Sequence, residues 1–461
     1  MTDAATLAGH LVSAGLDEAE RAAKAQLFQR TLDRWQRDIG SAPAAAWWVP
    51  GRLEVFGTHT DYAGGRSLVA PVPRGFVFLA ASRLDRQIRA IDAKDVRDPW
   101  DKRTATHQES VAISQEQSSA RFRGWRHYVE VTAARLARNF PGSELGTDIA
   151  FASDLPRAAG MSSSSALIVG IAIALSYAGR LRERPEWQAD VRSIVDEAGY
   201  LGCVENGRAF GALTGDAGVG THGGSEDHAA MLAGTAGACS EFAFVPLRLV
   251  ETVSIPSAWT FVVASSGIGS HKTGSERGAY NRLSAGTAVL LDLWNRRETP
   301  CDSLGAALAS SESALERLRA IAARSAVPDW SGPALRDRLD HFAREDARVA
   351  ESVLALRRAD ADTFGRLGAE SQADAELLLA NQVPETSALV RVARDAGAVA
   401  ARSFGAGFGG SAWAMIESAG ERDDRQFLDR WMSAYRSACP EASARSVAFV
   451  SKPGPPVTRV R

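Results

Sequence analysis

Arg52, His59 and Asp61 place a cation, an imidazole and a carboxylate on one short turn, in the stretch PGRLEVFGTHTDY over Pro50–Tyr62. Glycines bracket that turn, and Ala63-Gly64-Gly65 follows it. A loop that merely connects two apolar runs rarely needs such chemistry. Polar groups spaced in this way suit a pocket for a small polyhydroxylated molecule.

Three further stretches carry chemistry. In GMSSSSA, Gly160-Met161-Ser162-Ser163-Ser164-Ser165-Ala166 stands directly before an apolar helix. Small residues let the backbone approach a ligand there, and the exposed N–H groups of a helix start favour an anion. Serine hydroxyls bond phosphate oxygens or ligate Mg²⁺. A helix cap needs one serine, not four. The chain has no G-x-x-x-x-G-K-S/T run, which excludes a P-loop. Next, Glu205 precedes a glycine-rich stretch that leads to GGSEDH, Gly223–His228. Glu205 and Asp227 suit a metal and a proton transfer respectively, the two needs of phosphoryl transfer. His222 and His228 with one acid match no zinc spacing. Finally, Gly405–Gly410 formally fits G-x-G-x-x-G. A dinucleotide fingerprint follows a strand and opens a helix. Here a helix-like segment precedes and the strand-like SAWAMI follows, so a tight loop against the phosphates fits better.

The elements that must position these groups are read from periodicity. A helix is expected over 17–38, and strands over 44–56, Ser67–Pro71, Phe76–Ser82, Ile88–Ala93 and Asp148–Ser153. Residues 94–124 read as polar and irregular, 124–138 and 186–212 as helical, and 213–227 as loop. Phe242–Pro246 and Trp259–Ser265 read as strands, and helices dominate 271–400, among them 279–294, 304–324, 335–358 and 386–401. The change from strand-rich to helix-rich sequence predicts a domain boundary near 250–256.

A chain of 461 residues with 45% apolar and 23% charged residues buries a large core. A net charge of −2 gives no reason to expect nucleic acid or an anionic membrane as partner. Four dispersed cysteines without CxxC read as free thiols in a reducing compartment. The N-terminus lacks a signal-peptide pattern, and the longest apolar run, Ala166–Leu175, is too short to span a bilayer. A cytoplasmic protein is expected, its oligomeric state left open, a monomer included.

In this order the stretches resemble the GHMP small-molecule kinases, and within them the galactokinases. GRLEVFGTHTDYAGG is similar to that family's G-R-x-N-L-I-G-E-H-T-D-Y-N-x-G sugar motif, GMSSSSA to G-L-S-S-S-A, and GAGFGGSA to G-A-G-F-G-G-C. ENGRAFG with GGSEDH resembles E-x-x-F-x-G…G-I-M-D-Q, and GWRHYV resembles W-x-N-Y-V. The resemblance implies an α+β fold of two domains, 1–255 and 256–461, with the active site in the cleft between them. It implies ATP and Mg²⁺ as cofactors and a sugar as substrate, phosphorylated at the anomeric hydroxyl. Asp227 and Arg52 would be catalytic, while His59, Asp61, Tyr280 and Thr58 would face the sugar. Gly160, Met161, Ser162, Ser163, Ser164 and Ser165 would cradle ATP, Trp125 would wall the adenine, and Ser164 with Glu205 would hold Mg²⁺.

The departures bear on the substrate. Thr58 stands where the motif has Glu, associated with the hydroxymethyl end of the sugar, and Glu54 stands where it has Asn. Thr58→Glu is therefore expected to raise activity on galactose relative to 6-modified sugars. Asp216 is a second candidate acid without the G-x-x-D spacing. His271, Lys272 and Arg277 are extra cations that a C6 carboxylate would meet; a solvated cluster is the other reading. Galactose or a relative leads as substrate, with arabinose or galacturonate as alternatives. A kinase-like sugar sensor is a different class, disfavoured because Arg52, Ser164 and Asp227 are all present.

Overall fold

Strand β1 (Ala45–Phe56) is buried along its whole length, and its alternation sorts side chains to two faces. Ala45, Trp47, Val49, Leu53 and Val55 enter the main core, while Ala46 and Trp48 face a second core. That second core is built on α1 (Ala4–Ser13), absent from the sequence expectations, and α2 (Arg21–Asp38). Arg52 and Glu54, two residues apart on the same strand, share a face. The computed structural model describes residues 3–94, 108–115, 124–156, 159–269 and 275–461.

β1 pairs antiparallel with β2 (Arg66–Ser82), one long strand where two were expected. Pro50 faces Gly75 and Arg52 faces Pro71, so β2 bulges between them. Proline lacks the N–H of a ladder, and this irregular stretch holds Pro71 and Pro73. The sheet continues through β5 (Thr147–Ser153) to β3 (Gln87–Asp92), parallel to it, and β4 (Gln108–Ala112) at the edge. β4 lies in the stretch expected to be irregular. α3 (Arg126–Asn139) and α4 (Ser163–Ala178) cover this sheet, α4 buried on most sides. The helix expected over 186–212 is two, α5 (Pro185–Asp190) and α6 (Ile194–Asn206), because Ser193 caps a new start and Gly207 ends it at φ 78°. α7 (Glu226–Ala233) begins inside the expected loop. β6 (Ala238–Ala243) pairs with β2 and carries β7 (Arg248–Ser254).

A second, antiparallel sheet comprises β8 (Trp259–Ser265), β9 (Ala400–Phe404), β10 (Ser411–Glu417) and β11 (Ala448–Val450), ordered β11-β8-β10-β9. Between β8 and β9 run α8 (Ser275–Asn295), α9 (Leu304–Ala309), α10 (Ala314–Arg324), α11 (Gly332–Arg358), α12 (Ala361–Asp374) and α13 (Pro384–Asp395). The helix expected to reach 401 stops at Asp395, since Ala400 already belongs to β9. α14 (Glu421–Ala438) and α15 (Pro440–Ser443) precede β11. β12 (Thr458–Arg459) then returns to β1, so the end of the chain rejoins the first sheet.

Phe56, Phe261, Phe364 and Trp413 meet edge-on or tilted, with ring centres 5.4–6.2 Å apart, where the two sheets share one core. Cys203, Cys239, Cys301 and Cys439 are all free thiols. Among the described residues, no helix is long and apolar enough to cross a membrane.

Candidate active site

The turn after β1 closes on itself before it can present side chains. Gly57 takes φ 102°, where a Cβ would stand 2.5 Å from the Arg66 carbonyl oxygen. His59 takes φ 60°, an uncommon conformation for a residue with a side chain. Arg338 on α11 holds it there, donating from Nη2 to the His59 carbonyl at 2.7 Å and to the Tyr62 hydroxyl at 2.9 Å. His59 Nε2 lies 3.2 Å from the Ala406 carbonyl, which can only accept, so Nε2 carries a proton. Nδ1 lies 2.9 Å from the Tyr62 hydroxyl. The imidazole thus spans from the sugar-motif turn to the third glycine loop.

Asp61 is buried on the same turn. Its Oδ1 accepts from the Tyr62 N–H at 2.8 Å and its Oδ2 from the Glu226 N–H at 3.2 Å. Burial raises its pKa, the Glu226 N–H opposes this, and the nearby Asp227 charge raises it further. Tyr280, from α8, brings its ring to 5.6 Å from that of His59.

Arg52 is the hub. Its Nε donates to Asp227 Oδ1 at 2.7 Å and lies 3.1 Å from Glu226 Oε1. Nη1 donates to the Gly160 carbonyl at 3.1 Å, and Nη2 to Glu54 Oε2 at 3.3 Å. Burial alone would lower its pKa; Asp227, Glu226 and Glu54 outweigh burial and hold the guanidinium charged. Asp227 sits in the first turn of α7, where a helix start favours an anion, and its Oδ2 accepts from Ser165 at 3.0 Å. Glu226 beside it is pushed well above the usual carboxylate range, by burial first and then by Glu54.

The expected phosphate loop has the backbone of an anion cradle. Gly160 and Ser162 take φ 72° and 58°, and α4 starts at Ser163 without a side-chain cap. Met161 is buried beneath it. A Cβ on Gly405, at φ 83°, would stand 2.8 Å from the Gly160 carbonyl oxygen, so the third glycine loop packs on the first by having no side chain there. That loop joins antiparallel β9 to β10. It follows a strand rather than the expected helix, yet opens no helix, and so is not a dinucleotide fingerprint.

One cleft is lined by Arg52, Glu54, His59, Asp61, Glu205, Glu226, Asp227 and Tyr280. Ser165 and Gly160 reach it through their bonds to Asp227 and Arg52. Glu205, from the end of α6, has Oε2 at 3.2 Å from His228 Nε2. Its carboxylate and the Ser164 hydroxyl are oxygen donors of the kind a hard cation takes. One expectation is corrected. Thr58 is not among the cleft residues: it is 3% exposed, its hydroxyl donating to Glu54 and accepting from Arg402. Trp125, at the start of α3, stacks edge-on against Phe151 at 5.3 Å as part of the core's margin. Asp216 pairs with Arg135 at 3.3 Å and Arg138 at 3.4 Å, and holds the Gly218 N–H; it is a loop anchor. His271, Lys272 and the side chain of Arg277 lie outside the described residues.

Sequence reasoning passed over Glu226, the placement of Glu54, and a polar stripe on α11. Arg338, His341, Glu345 and Arg348 are buried at spacings of three and four along that helix. The signal was legible: charged residues at helical period on one face of a helix that otherwise buries leucine and valine.

Two glycine loops over a helix start, a buried arginine paired with a partly buried aspartate, and a polar turn thus meet at one cleft. Residues 33–82 match the galactokinase galactose-binding signature, 127–200 the GHMP kinases N terminal domain, and 352–434 the GHMP kinases C terminal. Through these matches the chain is similar to the GHMP kinases and, within them, to galactokinase-like phosphotransferases. It is 28% identical over 391 residues to a galactokinase of Roseiflexus sp., covering 84% of this chain and 86% of that one. It is 29% identical over 404 residues to a galactokinase of Streptomyces coelicolor, covering 84% and 88%. Its fold matches Lactococcus lactis galactokinase complexed with galactose at TM-score 0.74 and 21% identity, over 92% of this chain and 98% of that one. Methanococcus jannaschii mevalonate kinase follows at TM-score 0.52 and 14% identity, over 90% and 99%.

Proposed function

We propose that this protein transfers the γ-phosphoryl group of ATP to the anomeric hydroxyl of galactose, or of a sugar of related shape, giving a sugar 1-phosphate. The observation that carries this reading is the 2.7 Å pair between Arg52 and Asp227, set between the sugar-motif turn and the phosphate loop. Asp227 orients the anomeric hydroxyl and takes up its proton; Arg52 keeps Asp227 ionised and meets charge on the transferred group. Asp61 and Tyr280 bind sugar hydroxyls, and His59 lines the cleft beside them. Gly160–Ser165 receive the ATP phosphates with backbone N–H groups. Ser164 and Glu205 would hold Mg²⁺, which would supply charge neutralisation at phosphate oxygens. The domains are taken as 1–255 and 256–461, a reading supported by the change of sheet between β7 and β8, with β12 returning to the first sheet.

An ADP-release screen of the purified protein with ATP, Mg²⁺ and a panel of hexoses, pentoses and uronic acids tests this. Release with galactose or a close relative is expected; none with any sugar would contradict it.

A further inference from the structure

Behind Arg52 lies a buried chain of charge that reaches into the second sheet. Glu54, 2% exposed, accepts from Arg52 Nη2 through Oε2 at 3.3 Å. Its Oε1 accepts from the Thr58 hydroxyl and, at 3.4 Å, from Arg402 Nη2. Arg402 is 1% exposed on β9. It donates to Thr58 Oγ1, to the Val55 carbonyl at 3.3 Å, to the Ser403 carbonyl at 2.9 Å and to Glu345 Oε1 at 2.8 Å. Glu345 in turn accepts the N–H groups of Gly57 at 3.0 Å and Thr58 at 3.4 Å. The Thr58 hydroxyl has one proton, given to Glu54, and a lone pair facing Arg402, so it completes the clamp from both sides.

We propose that Glu54, clamped by Thr58 and Arg402, is the positioning residue for Arg52, and that Thr58 affects the reaction only through this clamp. Nε of Arg52 faces Asp227 and Glu226, Nη1 faces the Gly160 carbonyl, and Glu54 supplies the oxygen for Nη2. With Nη2 anchored, the planar guanidinium can point Nε at Asp227 and Nη1 at Gly160 together. A carboxylate suits this post because it only accepts. Glutamine can keep one acceptor oxygen but supplies neither the charge nor a second acceptor, so it cannot serve Arg52, Thr58 and Arg402 at once. The inference rests on the kinase reading.

A double-mutant cycle on the sugar that the wild type turns over best tests it. Glu54→Gln is expected to lower kcat by about tenfold or more while KM for ATP moves less than about threefold. Thr58→Val, close in shape, lowers kcat in the same direction by a smaller factor. In an Arg52→Lys background, Glu54→Gln lowers kcat by less than about a further twofold, because no guanidinium remains to be held. An unchanged kcat in Glu54→Gln, or a loss that multiplies in full in the Arg52→Lys background, overturns the proposal. If Glu54→Gln does not fold, the same cycle with Thr58→Val decides it. A wild type that turns over no sugar defeats the kinase reading itself; an active wild type with an unaffected Glu54→Gln defeats only the clamp.

Discussion

Each nitrogen of Arg52 reaches an oxygen from a different element: Asp227 on α7, the Gly160 carbonyl in the phosphate loop, and Glu54 on its own strand. Asp227 is therefore fixed before any substrate arrives, with its second oxygen held by Ser165. Asp227→Asn keeps the shape and removes the charge. It should lower kcat by roughly a thousandfold while nucleotide affinity, measured by calorimetry, stays within a few-fold. At Thr58 the structure reverses the expectation from the motif. A glutamate there would stand against Glu54 in a buried site, with Arg402 already shared between Glu54 and Glu345. Thr58→Glu should cost about 3–5 kcal/mol of stability, seen as a lowered Tm, rather than improve activity on galactose. An unchanged Tm would mean that the side chain finds the cleft after all. Arg52, His59, Asp61 and Asp227 were legible because their types and spacing are unusual for a connection. The place of Thr58 was not, because which side of a tight turn a short side chain faces depends on a helix nearly 300 residues away.

At the scale of elements, the site is made by ends meeting. The phosphate loop opens α4, Asp227 opens α7, Glu205 closes α6, and the third glycine loop joins β9 to β10. Gly405 is where two of these ends touch. Gly405→Ala would put a methyl group 2.8 Å from the Gly160 carbonyl oxygen at φ 83°. The strain of about 1–2 kcal/mol should fall on the cradle and raise KM for ATP more than KM for the sugar. Equal effects on both would count against the packing of one loop on the other. The long strands and helices were readable from hydrophobic period. α7 was not, since its eight residues begin with two acids and follow a glycine run that reads as loop. The bulge in β2 was read as a break for the same reason: two prolines mark an irregularity but do not tell whether the ladder resumes.

Over the whole molecule, α11 carries the second half of the chain onto the sugar-motif turn. Glu345 is the central contact, receiving N–H groups of Gly57 and Thr58 and the cation of Arg402. Burial pushes its pKa up, but Arg402, His341 and Arg348 together pull it down, from the ordinary 4.5 to about 2. The folded pKa lies below the unfolded one. The resulting stability is fully present above about pH 4.5 and is lost as pH falls toward 2. Glu345→Gln should lower the wild-type Tm at pH 7 and flatten its fall across that acid window; a parallel, undiminished fall would place the acid sensitivity elsewhere. No short motif announces this contact, since its partners are 287 and 57 residues apart in sequence. The central claim, that Arg52 and Asp227 direct phosphoryl transfer to the anomeric hydroxyl, is tested most directly by ³¹P NMR of the product formed from ATP, Mg²⁺ and galactose, or the best sugar of the screen. The account predicts a phosphorus resonance coupled to the anomeric proton, lost with Asp227→Asn. A phosphate on any other carbon, or the same product from Asp227→Asn at the wild-type rate, would contradict it.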